Sequence, residues 1–379
     1  MKDASVQNMY FGVEQQLGHD LLLRVNYGGS LGGHLPVLMN LNRFDGQKYN
    51  PKFSSVRPNA LYTGFNYRAN NVNSNYNALV TEIQKRFSHG LQFQTSFTWS
   101  RLMDIGSDLF AGETRTGSHS QPYYFLSATQ SPRKFEYGPG AFDHQRSFKV
   151  NWVYEVPFMH AQKGFVGQAF GGWSVSGFYQ YYSGHPIEVY NSRPTFKGNV
   201  LDANGNPENI GGDYNYDGVN NDHPNYVGTG NPYSGHSPAD GIFTDNNLIG
   251  CGYAGAKSTN IAACNAAYSV RTANSLFVNP SGLGPRYGTL GRNLFRGPSY
   301  NGVNASVFKS FHLTERVKVQ IRGEFINLLN HPNFDGIDTN LNGATFGKAQ
   351  FLVGDGINGI EPQSNAKARR IQLGLRVSF

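Results

Sequence analysis

Apolar and polar residues alternate with period two along much of this 379-residue chain. Such alternation marks β-strands with one apolar and one polar face. The C-terminus is the clearest case: Ile371, Leu373, Leu375, Val377 and Phe379 alternate with Gln372, Gly374, Arg376 and Ser378. Upstream, Val317, Val319, Ile321 and Phe325 alternate with Lys318, Gln320, Arg322 and Glu324, and Gly323 falls on the apolar side. Val303, Ala305, Val307, Lys309 and Phe311 form a less apolar stripe. Trp173, Val175, Gly177, Tyr179 and Tyr181 form another, as do Phe148, Val150, Trp152, Tyr154 and Val156. Leu91, Phe93, Thr95, Phe97 and Trp99 make a further stripe, and weaker alternation covers 76–87, 20–27 and 6–17. The pattern predicts nine strands, mostly 9 to 14 residues long. A soluble strand averages about 5–6 residues, whereas a transmembrane β-strand needs about 9–11. Strand length thus predicts an all-β fold, a transmembrane antiparallel β-barrel.

The connections carry the same expectation. Short turns at 18–19, 88–90 and 312–314 and an intermediate one at 158–170 alternate with long connections at 28–75, 104–145, 191–298 and 329–367. Outer-membrane barrels have short periplasmic turns and longer extracellular loops. Loops beyond about 12–15 residues are uncommon in compact soluble domains. Trp99, Trp152, Tyr154, Trp173, Tyr179, Tyr181, Tyr182 and Phe379 gather near strand ends, as in an interfacial aromatic girdle; sheet packing is the plainer reading of any one of them.

Composition narrows the alternatives. Charged residues are 15% of the chain, aromatics 14%, and there are 46 glycines. Many aromatics and a modest net charge of +7 exclude disorder, and Gly-rich, Asn-rich strands exclude a helical bundle. No basic run exceeds two residues, which excludes a nucleic-acid partner. No apolar run approaches the ~18 residues of a membrane-spanning helix. The segment from Met1 to Ser5 lacks a secretory signal.

Several segments resemble a known family. Gly291–Lys309 and Arg322–Phe334 look like the barrel end of Oar-like TonB-dependent transporters of Gram-negative outer membranes, Acidobacteria prominently. Tyr76–Leu79, Lys85–Leu91, Phe97–Arg101 and Asp213–Asp222 fit the same family. The resemblance implies a wall of about 22 strands, a plug, a TonB-contacting box and often a β-sandwich in front. Those N-terminal parts are not seen in this sequence, so residues 1–379 are expected to be the C-terminal portion of the barrel, with 191–298 as a long extracellular loop. Counting back from a periplasmic C-terminus places Met1 outside, and an odd strand count fits a partial wall. Ile371, Leu373, Leu375, Val377 and Phe379 are similar to the signal read by barrel-assembly machinery.

Candidate sites are few. Asp213, Asn215, Asp217 and the Val219 carbonyl, with Gly218 at the turn, match the first half of a Ca²⁺ loop, and Asp222 or Asn221 is a late oxygen donor. Pro224 stands where an EF-hand has Glu, and an Asn/Asp-rich turn is the alternative. Cys251 and Cys264 lie in the longest connection, where an oxidising compartment suggests a disulfide; two separate thiols are the alternative. Gly354, Gly356 and Gly359 spell a dinucleotide fingerprint, but Pro362 and polar residues follow it, so a loop is expected. No catalytic constellation is evident and no cofactor is required, so an enzyme is not expected. The leading expectation is an outer-membrane receptor barrel whose loops capture an extracellular ligand, partnered by lipid, assembly machinery and, through the N-terminal parts, TonB. A structural or adhesive surface barrel, or a secreted soluble glycan-binding β-protein, are the competing readings.

Overall fold

The computed structural model describes residues 2–40, 42, 59–62, 66–107, 137–159, 161–190, 222–229, 231–243, 276–278, 288–312, 314, 317–340, 345–353 and 368–379. Nine long strands form its frame: β1 (Ser5–Leu17), β2 (Leu21–Asn40), β3 (Asn66–Ser88), β4 (Leu91–Asp104), β5 (Arg146–Glu155), β6 (Trp173–Tyr182), β7 (Tyr300–His312), β8 (Lys318–Ile326) and β9 (Arg370–Ser378). They pair in sequence order, each antiparallel to the next, in one meandering sheet. All nine correspond to the alternating stripes. Among the described residues the sheet is open, with β1 and β9 each paired on one side only.

Register turns nine separate alternations into two continuous faces. Directly paired residues of antiparallel strands lie on the same side. One such row is Leu17–Leu21–Lys85–Phe93–Trp152–Gly177–Ala305–Phe325–Ile371, which crosses every strand. A row on the opposite face is Gln92–Val153–Ser176–Ser306–Glu324–Gln372. A one-residue slip anywhere would mix the two faces, so their contrast fixes the register. The polar face also carries the Glu14–Arg24–Glu82 row, with Arg24 Nε 2.6 Å from Glu14 and Nη1 3.8 Å from Glu82. Ile371, Leu373, Leu375 and Val377 share the apolar face, Leu373 being 79% exposed. Trp99, 61% exposed, extends a row with Leu79, Tyr27 and Phe11 toward the long-connection end. Trp152 differs from the girdle expectation. Its indole lies across Gly177 on β6, where a Cβ would collide with it.

Two connections differ from the sequence reading. The stretch expected as a loop over 28–75 is largely strand: β2 continues to Asn40 and β3 starts at Asn66, and the two pair on both sides of an irregularity at Gly32–Pro36. Its Gly- and Pro-containing pattern hides the alternation, and the register shifts between Gly32 and Pro36, with His34 at positive φ, break it. The intermediate connection holds a seven-residue helix, α1 (Gly164–Phe170), in an otherwise β fold. Gly171 and Gly172 stop it, and at Gly171 the Met159 and Gly167 carbonyls come too close for any Cβ.

Candidate functional site

The connections after β4, β6 and β8 leave one end of the sheet, and their described parts fold into a cap. Short pairings organise it: Pro186–Ile187 with Phe295–Arg296, Asn225–Tyr226 with Phe277–Val278, and Phe334–Ile337 with Ala349–Leu352. Bridges between Tyr190 and Asn340 and between Tyr233 and Phe243 close it further. None of these pieces exceeds four residues, so local propensity cannot hold them.

What holds the cap is a buried cluster. Phe243, Phe277, Phe295 and Phe346 pack around one another, with Ile187, Val189 and Leu290 beside them. Phe243 stacks on Phe346 at 5.2 Å between ring centroids and meets Phe277 and Phe295 edge to face at 5.6 and 5.2 Å. Such pairs add about 0.5–1.5 kcal/mol each beyond the area they bury. Each ring is a singleton in its own sequence neighbourhood, and only the tertiary fold brings them together.

Buried ion pairs tie the cap to the wall. Arg292 Nη1 lies 2.5 Å from Asp104 Oδ1, at the last residue of β4, and also donates to the Asp104 carbonyl, while Nη2 donates to Ser107 Oγ. Arg296 pairs with Asp143 and donates to the carbonyls of Asp143 and Gly184. His223 Nε2 lies 2.6 Å from Glu188 Oε1, and its Nδ1 lies 3.1 Å from the Leu290 carbonyl, so one buried ring joins three segments. Burial holds the His185 pKa below its usual value, opposed by Asp335 at 3.7 Å. Burial likewise raises the Tyr233 pKa, although the Arg296 backbone N–H donates to its hydroxyl.

The polar face below the cap carries a depression of about 340 Å³, lined by Gln92, Asn151, Ser176, Phe178, Asn304 and Ser306. These amides and hydroxyls, interleaved with Trp152, Val153 and Ala305, can hydrogen-bond and stack a part-polar solute, but they include no acid–base set. Among the described residues no cluster of His, Cys, Asp and Glu forms a metal site.

Asp213, Asn215, Asp217, Val219, Cys251 and Cys264 lie outside the described residues, as does the glycine run at 354–359. Asp222 is described and buried, next to His223. The terminal stripe from Ile371 to Val377 forms β9, with Phe379 just beyond it. Sequence reasoning missed Asp104, Asp143, Glu188, His223 and the cap phenylalanines. Arg292 and Arg296 lay inside the Gly291–Lys309 segment that carried the resemblance, so that segment was the available signal.

An outer membrane beta barrel domain model matches residues 1–372. No curated protein matches the sequence. Among solved structures, the outer membrane transporter YddB from Escherichia coli aligns with 100% of this chain and 33% of its own, at 7% identity and a TM-score of 0.43. P. aeruginosa FpvA, solved with heterologous pyoverdines, aligns with 98% of this chain and 27% of its own, at 9% identity and a TM-score of 0.37. The copper transporter OprC aligns with 99% and 31%, at 8% identity and a TM-score of 0.33. The chain thus spans about a third or less of the length of these proteins, and so distant a likeness says nothing of ligand. The match over nearly the whole chain, with strands that put one apolar face outward, establishes that this protein belongs to the outer-membrane β-barrel family and resides in the bacterial outer membrane.

Proposed function

We propose that these nine strands form part of the wall of a TonB-dependent receptor of the Oar-like type, and that the cap captures an extracellular ligand for energised uptake. The observation that carries this reading is the cap itself. A barrel that served only as an anchor has no need of an aromatic core and buried ion pairs in its outer loops. A pre-formed surface above a polar-faced wall suits a receptor, because preorganisation lowers the cost of binding. The wall is completed by further strands, since unpaired N–H and C=O groups at the β1 and β9 edges would each cost several kcal/mol in lipid. Phe379 and the β9 stripe serve as the assembly signal. Asp213, Asn215, Asp217, Val219 and Asp222 bind Ca²⁺, and Cys251 bridges to Cys264.

The test compares residues 1–379 with the full gene product. The full product should migrate heat-modifiably in gels and cross-link to TonB in cells, while residues 1–379 alone should do neither. Heat-modifiable migration by residues 1–379 alone, or no TonB cross-link from the full product, would overturn the reading. Calorimetry with Ca²⁺ on the wild type and Asp217→Ala tests the metal site: heat lost in the variant supports it, and equal or absent heat rejects it.

A further inference from the structure

The apolar face carries a groove of about 680 Å³ between α1 and strands β6, β7 and β8. Gly323 opens it. A Cβ at Gly323 would meet only Phe325 and Leu373, at 3.5 and 3.8 Å, whereas the gap at Gly177 on the same face is already filled by Trp152. Trp173, Ile321 and Phe325 line the sides, and Phe165 of α1, 89% exposed, forms a lip. The helix therefore sits on the outside of the wall, at the end with the short connections.

One charge lies in this groove. Lys309 is 5% exposed, donates to the Gly171 carbonyl, and holds its Nζ 4.6 Å from the Phe311 ring and 5.6 Å from the Trp173 ring. Among the described residues it forms no ion pair. An ammonium has three donors, and the carbonyl takes one. Ionisable groups on the lipid side of a membrane protein are costly and mark function by default. Lys309 pairs with Trp173, the first residue of β6, so it stands near the rim rather than at the midplane. A cation at headgroup level beside an apolar slot complements a lipid whose acyl chains hang from a glycerol bearing an anionic phosphate.

We propose that this groove is a binding site for one anionic phospholipid of the periplasmic leaflet, with its acyl chain over Gly323 and its phosphate on Lys309. The proposal rests on the outer-membrane location and not on the receptor reading. Photoactivatable phosphatidylglycerol, carrying a diazirine on the acyl chain, would be incorporated into outer-membrane vesicles containing the protein. Label should concentrate in residues 164–170 and 321–325, several-fold above other apolar-face segments and several-fold above label from phosphatidylcholine of the same chain length. Gly323→Leu should abolish the enrichment. Lys309→Gln should keep acyl labelling but remove the headgroup preference. Even labelling around the wild-type wall, equal labelling by the two headgroups, or α1 cross-linked to a second protein in place of lipid would overturn the proposal without recourse to any variant. If Lys309 only pins α1, Lys309→Gln would reduce both headgroups alike, which also rejects the phosphate contact.

Discussion

Wall and cap use the same aromatic residues in opposite ways. On the wall, Phe11, Phe97 and Trp99 stand exposed on a continuous apolar face. In the cap, Phe243, Phe277 and Phe346 are fully buried. The difference is the solvent. Lipid tails are as apolar as a side chain, so the wall gains nothing by hiding its rings and must only satisfy its backbone by strand pairing. The cap stands in water and follows the rules of a small soluble domain: rings inside, charges paired when buried. One chain thus carries two folding logics, divided at the ends of β4, β6 and β8 and at the start of β7.

That division can be broken from either side. The largest effect should come from Phe243→Ala, which removes a ring touching three other phenylalanines and should cost the cap about 3–5 kcal/mol. Arg292→Ala should cost a comparable ~3–5 kcal/mol by leaving Asp104 buried and unpaired. In both variants limited proteolysis should cut the cap sooner while hydrogen exchange in β5 to β8 stays unchanged. Loss of wall protection in either would mean that the two parts are one cooperative unit.

Next in size, Leu373→Arg should cost roughly 2–4 kcal/mol through charge on the lipid face, whereas Gln372→Arg should be tolerated on the polar face. Membrane assembly yields report this, and equal damage from both would sink the assignment of faces. Smaller still is a pH effect confined to the cap. Burial lowers the His185 pKa, so the folded cap disfavours its protonation. Cap stability should be constant above the unfolded pKa of about 6.5 and fall as pH drops below it. Hydrogen exchange of residues 183–190 at pH 7.5 and 5.5 measures the fall, and His185→Gln should flatten it. The smallest effect lies at the opposite end. Hydrogen bonds from Lys85 and Ser88 lower the Asp20 pKa to about 2. This exposed contact supports the β1–β2 turn above the ordinary carboxylate range, and its support should vanish only as pH falls through about 2. An Asp20→Asn protein that already frays at neutral pH fits this role, and one indistinguishable from wild type at every pH does not.

The same division explains what could be read from sequence. Period two is a local signal, and lipid on one side with water on the other keeps it clean, so stripes such as Ile371 to Val377 were legible without neighbours. In the upper half of β2, Gly28, Gly29, Gly32 and Gly33 erased the stripe, and strand was mistaken for loop. The cap was illegible for a different reason. Ile187 and Phe295 are paired across more than a hundred residues, and Arg292 reaches Asp104 across nearly two hundred, so no window of sequence contains both partners. α1 was missed because seven residues give too few turns for a helical stripe.

The β2–β3 hairpin has a consequence of its own. At about 3.3 Å per residue the twenty residues of β2 extend some 65 Å, while the apolar band of such a barrel is only about 25 Å tall. β1 pairs with β2 only up to Gly33 and β4 with β3 only up to Ser74, so the last seven residues of β2, about 23 Å of strand, pair with β3 alone and rise beyond the wall as a two-stranded mast. The shift between Gly32 and Pro36 marks its base. Above that joint the chain answers to water and to neighbouring molecules on the cell exterior, so its sequence can drift, be clipped or be recognised by antibodies without touching the wall beneath.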